Sequence, residues 1–166
     1  GAIAEGETRI VNPLDCDDAR YMLDALRKIG YETSGSFKDG LVIGDRVSIS
    51  ANDVEIFVGN AGTAMRFLAG FLAFTPGRFI LKGDARMHER PIANLVDPLA
   101  QFGCEIDYLD RIGFPPLVIR GKKMRGNIDI AIDASVSSQF VSSLMMAGTT
   151  LAGGIRILPR NAASRP

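Results

Sequence analysis

The 166-residue sequence has no tryptophan, one histidine and two cysteines. With His88 as the single histidine, a His-rich zinc site is excluded, and a Ser-His-Asp nucleophile would have to use that one residue. Cys16 and Cys104 lack metal-ligand spacing and offer no disulfide framework, so reduced bystanders are expected. Neither sign of charge is in excess, because 19 Lys and Arg balance 19 Asp and Glu. The basic surplus of a nucleic-acid or anionic-membrane binder is therefore missing. Uninterrupted apolar runs are short: residues 67–74 form the longest and contain Gly70, far below the roughly 20 residues of a membrane span. No secretory h-region opens the chain, and a cytoplasmic or organellar-matrix location is expected. Any chemistry must rest on Arg, Lys, Asp, Glu, amides and hydroxyls.

What is present is ordinary globular composition, with 46% hydrophobic and 23% charged residues. The length suits one domain or a piece of one. The absence of an initiator Met and the lack of a closing element after Ala162 make a fragment the expectation, with residues 1–166 as a single partial domain.

Punctuation and periodicity predict a repeat. A strand at residues 8–11 leads to Asp15-Cys-Asp-Asp18, carboxylates suited to the positive end of a helix. Met22, Leu23, Leu26 and Ile29 carry that helix at helical spacing, and Gly30 ends it. Strands follow near residues 31–34, 41–43, 47–49 and 54–57, then a helix from about 61 to 74 and a strand at 78–81. The pattern returns after Pro91, placed at a first helical position. A helix at residues 92–102 contains Pro98, which should kink or break it. Strands at 104–109, 116–119 and 127–132 follow, then a helix from 137 to 149 and a strand at 155–158. The spacing from Gly30 to Gly103 nearly equals that from Gly77 to Gly153. Two strand-helix-strand-strand-helix-strand repeats, at 8–81 and 78–158, plus the start of a third, are expected. The fold class is α/β. The helices at 61–74 and 137–149 are apolar nearly all round, with Arg66 the only charge in the first. Such helices belong in an interior, which implies buried helices with sheets outside.

Three segments could carry chemistry. Gly59-Asn-Ala-Gly-Thr-Ala-Met-Arg66 joins a strand to a helix start, where free N–H groups and the helix dipole can hold an anion. The Lys-Ser/Thr ending of a Walker loop is absent, and a Gly-rich turn at a helix start is often only a turn. The second repeat offers Ser137, Ser138 and Gln139 at the equivalent junction, either as plain helix caps or as donors to a phosphate or polyol. Arg86, His88 and Arg90 cluster before the third helix, as solvated charge or as carboxylate and phosphate ligands. His88 reads as a surface residue and Lys122-Lys-Met-Arg125 as a solvated turn.

In this order, Gly59-Asn-Ala-Gly-Thr-Ala-Met-Arg66, His88-Glu-Arg-Pro-Ile92 with Leu95-Val-Asp97, and Ser135-Val-Ser-Ser-Gln-Phe140 resemble motifs of the 5-enolpyruvylshikimate-3-phosphate synthase family. Asp15-Cys-Asp-Asp18 and Ser164-Arg-Pro166 resemble two more, slightly altered. The resemblance implies a domain of repeats with helices inside and sheets outside, of which this chain is most of the N-terminal half. It implies enolpyruvyl transfer from phosphoenolpyruvate to the 5-hydroxyl of shikimate 3-phosphate, through a tetrahedral intermediate and with no metal or organic cofactor. By the resemblance, Ser137, Ser138, Gln139 and Ser164 contact shikimate 3-phosphate, and Gly62 and Arg90 contact phosphoenolpyruvate. Asn60, Thr63 and Arg66 would wall the same cleft, with Asp18 facing it.

The chain departs from the family at several points. The family's leading Lys-Ser-x-Ser-x-x-Arg-type segment, the Tyr after Ser-Arg-Pro, and the second domain with its acid-base carboxylates are not among these residues. Phe67 replaces a frequent Pro, a change expected to affect the helix start and sensitivity to the inhibitor glyphosate. The chain alone is expected to be inactive, and uncovered edges favour self-association. Two other readings stay open: a non-catalytic scaffold of the same fold, and the sister UDP-N-acetylglucosamine enolpyruvyl transferase.

Overall fold

Asp17 and Asp18 sit in the first turn of α1 (Asp17–Lys28), and Arg27 and Lys28 in its last, each complementing the helix dipole. Leu23, Ala25 and Leu26 turn one face of that helix inward. The computed structural model describes residues 1–47, 53–124, 127–133 and 137–160, and among these α1 is followed by α2 (Gly62–Ala73), α3 (Ala93–Gln101) and α4 (Ser138–Gly148). The strands are β1 (Thr8–Ile10), β2 (Tyr31–Ser36), β3 (Gly40–Arg46), β4 (Val54–Phe57), β5 (Gly77–Lys82), β6 (Glu105–Tyr108), β7 (Leu117–Gly121), β8 (Ile128–Asp133) and β9 (Ile155–Arg160). Among the described residues, three strands stand between α1 and α2 and three again between α3 and α4.

The strands form three sheets. β1, β3 and β2 are antiparallel neighbours in that order. The second sheet runs β4-β5-β7-β6, with β4 parallel to β5 and the remaining pairs antiparallel. β8 and β9 pair in parallel. The two faces of the four-stranded sheet differ in kind. Ile56, Phe79, Leu81, Leu117 and Ile119 are fully buried on one face. The other face carries ion pairs between Lys82 and Glu55, Lys122 and Glu105, Arg120 and Asp107, and Arg78 and Asp53 at the strand edge. Each exposed pair contributes no more than about 1 kcal/mol, so the buried apolar face holds the sheet.

The helices cover that apolar face. α2 is the hub: it packs against α1, α3 and α4 as well as β5 and β7. Its buried residues, from Gly62 and Ala64 to Leu72 and Ala73, lie on nearly every side, as a helix apolar all round requires. α4 differs from that expectation. Phe140, Ser143, Leu144 and Ala147 are buried, but Met145 and Met146 are 61% and 47% exposed, so one flank is open.

Several local expectations need correction. Pro91 precedes the cap of α3: Ile92 is the N-cap and Ala93 the first helical residue. Pro98 does not break α3, which runs through it to Gln101. A proline at this position removes one donor from a nine-residue helix, and the buried ring is retained by its packing. Phe67 leaves α2 continuous from Gly62. The strand expected at 41–43 extends over all of β3; Val47 lies beyond its end, and residues 48 and 49 lie outside the described residues.

Candidate functional site

α2 and α4 run in the same direction, with their starts side by side. Gln139 Nε2 donates to Thr63 Oγ1 at 3.3 Å near the two N-termini. Further along both helices, Ser143 Oγ donates to the Arg66 carbonyl at 2.7 Å. Gly70 makes this approach possible, because a Cβ there would stand 2.3 Å from Ser143 Oγ. α1 begins at the same end: Tyr21 lies against Gly59, and Asp18 and Thr63 share the rim of an otherwise apolar cavity of about 390 Å³. The segment leading into α3 arrives there too, bringing Arg90. Several helix N-termini thus point their partial positive charge at one region.

The turn into α2 is the focus. Its N-cap, Ala61, has no side chain that can cap, so the first N–H groups are left for another acceptor. Two guanidinium groups stand over Gly62. A Cβ on Gly62 would lie 2.6 Å from Arg90 Nη2 and 2.7 Å from Arg66 Nη1, so glycine is what admits both. Arg90 Nη1 donates to the Asn60 carbonyl at 3.2 Å, and Arg66 Nη1 to the Gly62 carbonyl at 3.1 Å. Arg66 also lies over the Phe140 ring, 5.4 Å from its centroid. Burial pushes the Arg66 pKa down from its ordinary value, and the charge of nearby Arg90 pushes it further the same way. Arg66 Nε is buried and has no hydrogen-bond partner among the described residues. Two like charges, an unused buried donor and uncapped helix N–H groups form an arrangement that an anion would complete.

The structure brings together most, but not all, of the expected residues. Asn60, Gly62, Thr63, Arg66, Arg90 and Gln139 form one cluster through the contacts above. Ser137 takes the plainer role, capping α4 by accepting from the Gln139 N–H at 3.3 Å. Ser138 and Asp18 are exposed, with Asp18 on the cavity rim rather than against either guanidinium. Arg86 is exposed. Ser164, Ser135 and Arg125 lie outside the described residues. His88 is not the free surface group expected: its Nε2 accepts from the Gly83 N–H at 3.4 Å. Sequence reading also missed Ser143 and Phe140 as partners of Arg66. A small hydroxyl and an aromatic at the start of an apolar helix read as packing, and only the helix crossing gives them Arg66 to hold.

A sequence model of the family described as EPSP synthase (3-phosphoshikimate 1-carboxyvinyltransferase) matches residues 1–166. The chain is 47% identical over 159 residues to the 3-phosphoshikimate 1-carboxyvinyltransferase of Tolumonas auensis, covering 94% of this chain and 37% of that protein. With the Bordetella pertussis protein of the same name it shares 47% identity over 152 residues, or 91% of this chain and 34% of that one. The solved EPSP synthase of Acinetobacter baumannii matches the fold with a TM-score of 0.81 at 28% identity, over 100% of this chain and 37% of that structure's. The chain therefore spans little more than a third of the length of the relatives it matches.

Proposed function

The chain belongs to the EPSP synthase family, and we propose that it forms one wall of the cleft in which phosphoenolpyruvate gives its enolpyruvyl group to the 5-hydroxyl of shikimate 3-phosphate. The observation that carries this reading is the pair of guanidinium groups over Gly62 at the uncapped start of α2. In the overall reaction the shikimate 5-hydroxyl oxygen, giving up its proton, bonds to the phosphate-bearing carbon of phosphoenolpyruvate while a proton adds to the methylene, making it a methyl group. Phosphate then leaves that carbon as the methyl group loses a proton and the double bond re-forms. No metal or organic cofactor is called for. This chain's part is electrostatic: Arg90, Arg66 and the α2 N–H groups hold a phosphate and stabilise the charge it gathers as it departs. Gln139, bonded to Thr63, bridges this anion site to the α4 start. There Ser137, Ser138 and Gln139 are assigned to shikimate 3-phosphate, with Gly62 and Arg90 assigned to phosphoenolpyruvate. Asp18, Asn60, Thr63 and Arg66 are assigned to the cleft wall, and Ser164 to a further phosphate contact.

The same reading extends to architecture and setting. The chain is taken as about two strand-helix-strand-strand-helix-strand repeats, at 8–81 and 78–158, plus the start of a third, with helices inside and sheets outside. The charged outer face of the four-stranded sheet and the encircled α2 support this. Glyphosate is the inhibitor such a site would take, and a cytoplasmic setting accords with it.

A scaffold that had lost its chemistry would have no use for a buried guanidinium nitrogen left unpaired, so Arg66 Nε favours the binding reading. The test is an amide NMR titration of the 166-residue chain with shikimate 3-phosphate. Saturable shifts centred on residues 137–139 are expected, spreading to 60–66 on adding phosphoenolpyruvate. A flat titration at both segments overturns a preformed half-site. Competition by UDP-N-acetylglucosamine would move the assignment to the sister reaction. Turnover by the chain alone is expected to be absent, and a rate near that of an intact synthase would overturn that.

A further inference from the structure

We infer that His88 is a positioning residue for Arg90: its Nε2 holds the Gly83 N–H and so fixes the turn that delivers the Arg90 guanidinium to Gly62. Gly83 directly follows β5 and is buried, so its N–H needs a partner inside the protein. His88 Nε2 is the acceptor, at 3.4 Å. No other residue type fits as easily at Gly83, where a Cβ would stand 2.4 Å from the Gly59 carbonyl oxygen and 2.5 Å from Met87 Cβ. The turn is therefore pressed against the segment that opens α2.

The remaining bonds make one clasp. The Asp84 N–H donates to the Gly59 carbonyl at 3.0 Å, tying the front of the turn to the start of the site. Asp84 Oδ1 accepts from the Met87 N–H at 2.9 Å, which closes the short 3-10 turn Met87–Glu89. The His88 N–H returns to the Asp84 carbonyl, and the Arg90 N–H to the Met87 carbonyl. At the far end Arg90 Nη1 reaches the Asn60 carbonyl. Residues 83–90 thus touch residues 59–62 at both ends, with the His88–Gly83 bond across the middle. An imidazole whose Nε2 accepts must carry its proton on Nδ1. This assigns both a tautomer and a purpose to the histidine.

The inference rests on the reading of Arg90 as an anion ligand, and the experiment keeps the two apart. His88 is the only histidine, so a sample labelled with nitrogen-15 histidine reports it without ambiguity. The full 166-residue chain, free of ligand at neutral pH, is expected to show an unprotonated Nε2 and a protonated Nδ1. A protonated Nε2 in the neutral ring overturns the inference. Second, His88→Ala is expected to shift the amide signals of residues 60–62, with His88→Gln, which keeps a side-chain acceptor, returning them towards the native positions. Third, phosphoenolpyruvate affinity is expected to fall about three- to tenfold in His88→Ala and to recover in His88→Gln, as loss of one hydrogen bond implies. An unchanged His88→Ala, or a His88→Gln that fails to rescue while remaining folded, overturns the positioning role. Arg90→Ala tests the underlying reading separately. If it binds phosphoenolpyruvate as the native chain does, the anion site fails, while the tautomer and the amide shifts still decide the clasp.

Discussion

Gly62 is where a single methyl separates stability from binding. It is the first residue of α2, and alanine there would not disturb helix formation. The added Cβ would instead push aside the ends of two flexible side chains, Arg66 and Arg90. Gly62→Ala is expected to unfold within a few degrees of the native chain yet bind phosphoenolpyruvate roughly tenfold or more weakly, the worth of one charge-assisted hydrogen bond. Calorimetric titration beside thermal unfolding checks both halves, and an unchanged affinity would remove Gly62 from the site. The cysteines give a second residue-scale contrast. Cys104 is 4% exposed, and burial pushes its thiol up to about 11, against a small opposing pull from Lys122. Cys16 is only half-buried. At pH 8 an alkylating reagent is expected to modify Cys16 and spare Cys104, read by peptide mass. Because the folded pKa is the higher one, the neutral Cys104 thiol supports the fold fully below pH 9.0. That support is lost as pH rises towards about 11.

Between elements, the α2–α4 contact decides whether the two halves of the site meet. Ser143 Oγ, held on the Arg66 carbonyl, fills the space that Gly70 leaves. Gly70→Ala gains about 1 kcal/mol of helix propensity, yet forces the helices apart at a cost of about 1–3 kcal/mol. A net loss of stability is expected in denaturant unfolding. The next atoms beyond Ser143 Oγ are 3.4 Å away or more, so the Ser143→Ala background has room for the new methyl. The double variant is therefore expected to be more stable than the sum of the single changes predicts. Strict additivity would mean that the contact does not set the helix spacing. This register was illegible in the sequence. Gly70 and Ser143 both read as small residues on apolar helices, and only their meeting reveals a lock.

Across the whole molecule, the apolar surface is unevenly covered. α2 is buried on nearly every side, while α4 and β9 leave an open hollow of about 610 Å³ lined by Val141, Met145, Gly148, Ile155 and Ile157. Leu158, on β9, adds a side chain 45% exposed. Such surface favours association, and the chain is expected to sediment as more than a monomer at high concentration. Met145→Glu, exposed and distant from the α2 start, is expected to restore the monomer without changing phosphate binding. A native chain that stays monomeric at every concentration would show that the hollow is indifferent to contact.

Most of the helices and strands were legible along the chain, because helix and strand periods, glycine stops and acidic first turns act within a few residues of one another. The candidate junctions, Gly59–Arg66 as a strand-to-helix turn and Gln139 at a helix start, were legible too, since donors at helix N-termini are a local pattern. Pro98 was expected to kink or break α3 and His88 to lie at the surface, but the buried Pro98 ring is carried within an unbroken helix and His88 is held on the Gly83 N–H. Long-range packing is what starts α1, α2 and α4 at one end and sets Arg90 and Arg66 over one glycine. It alone gave Gln139 its place beside Thr63, 76 residues away along the chain. Burial and helix crossing set those relations through long-range packing, and no spacing along the chain encodes them.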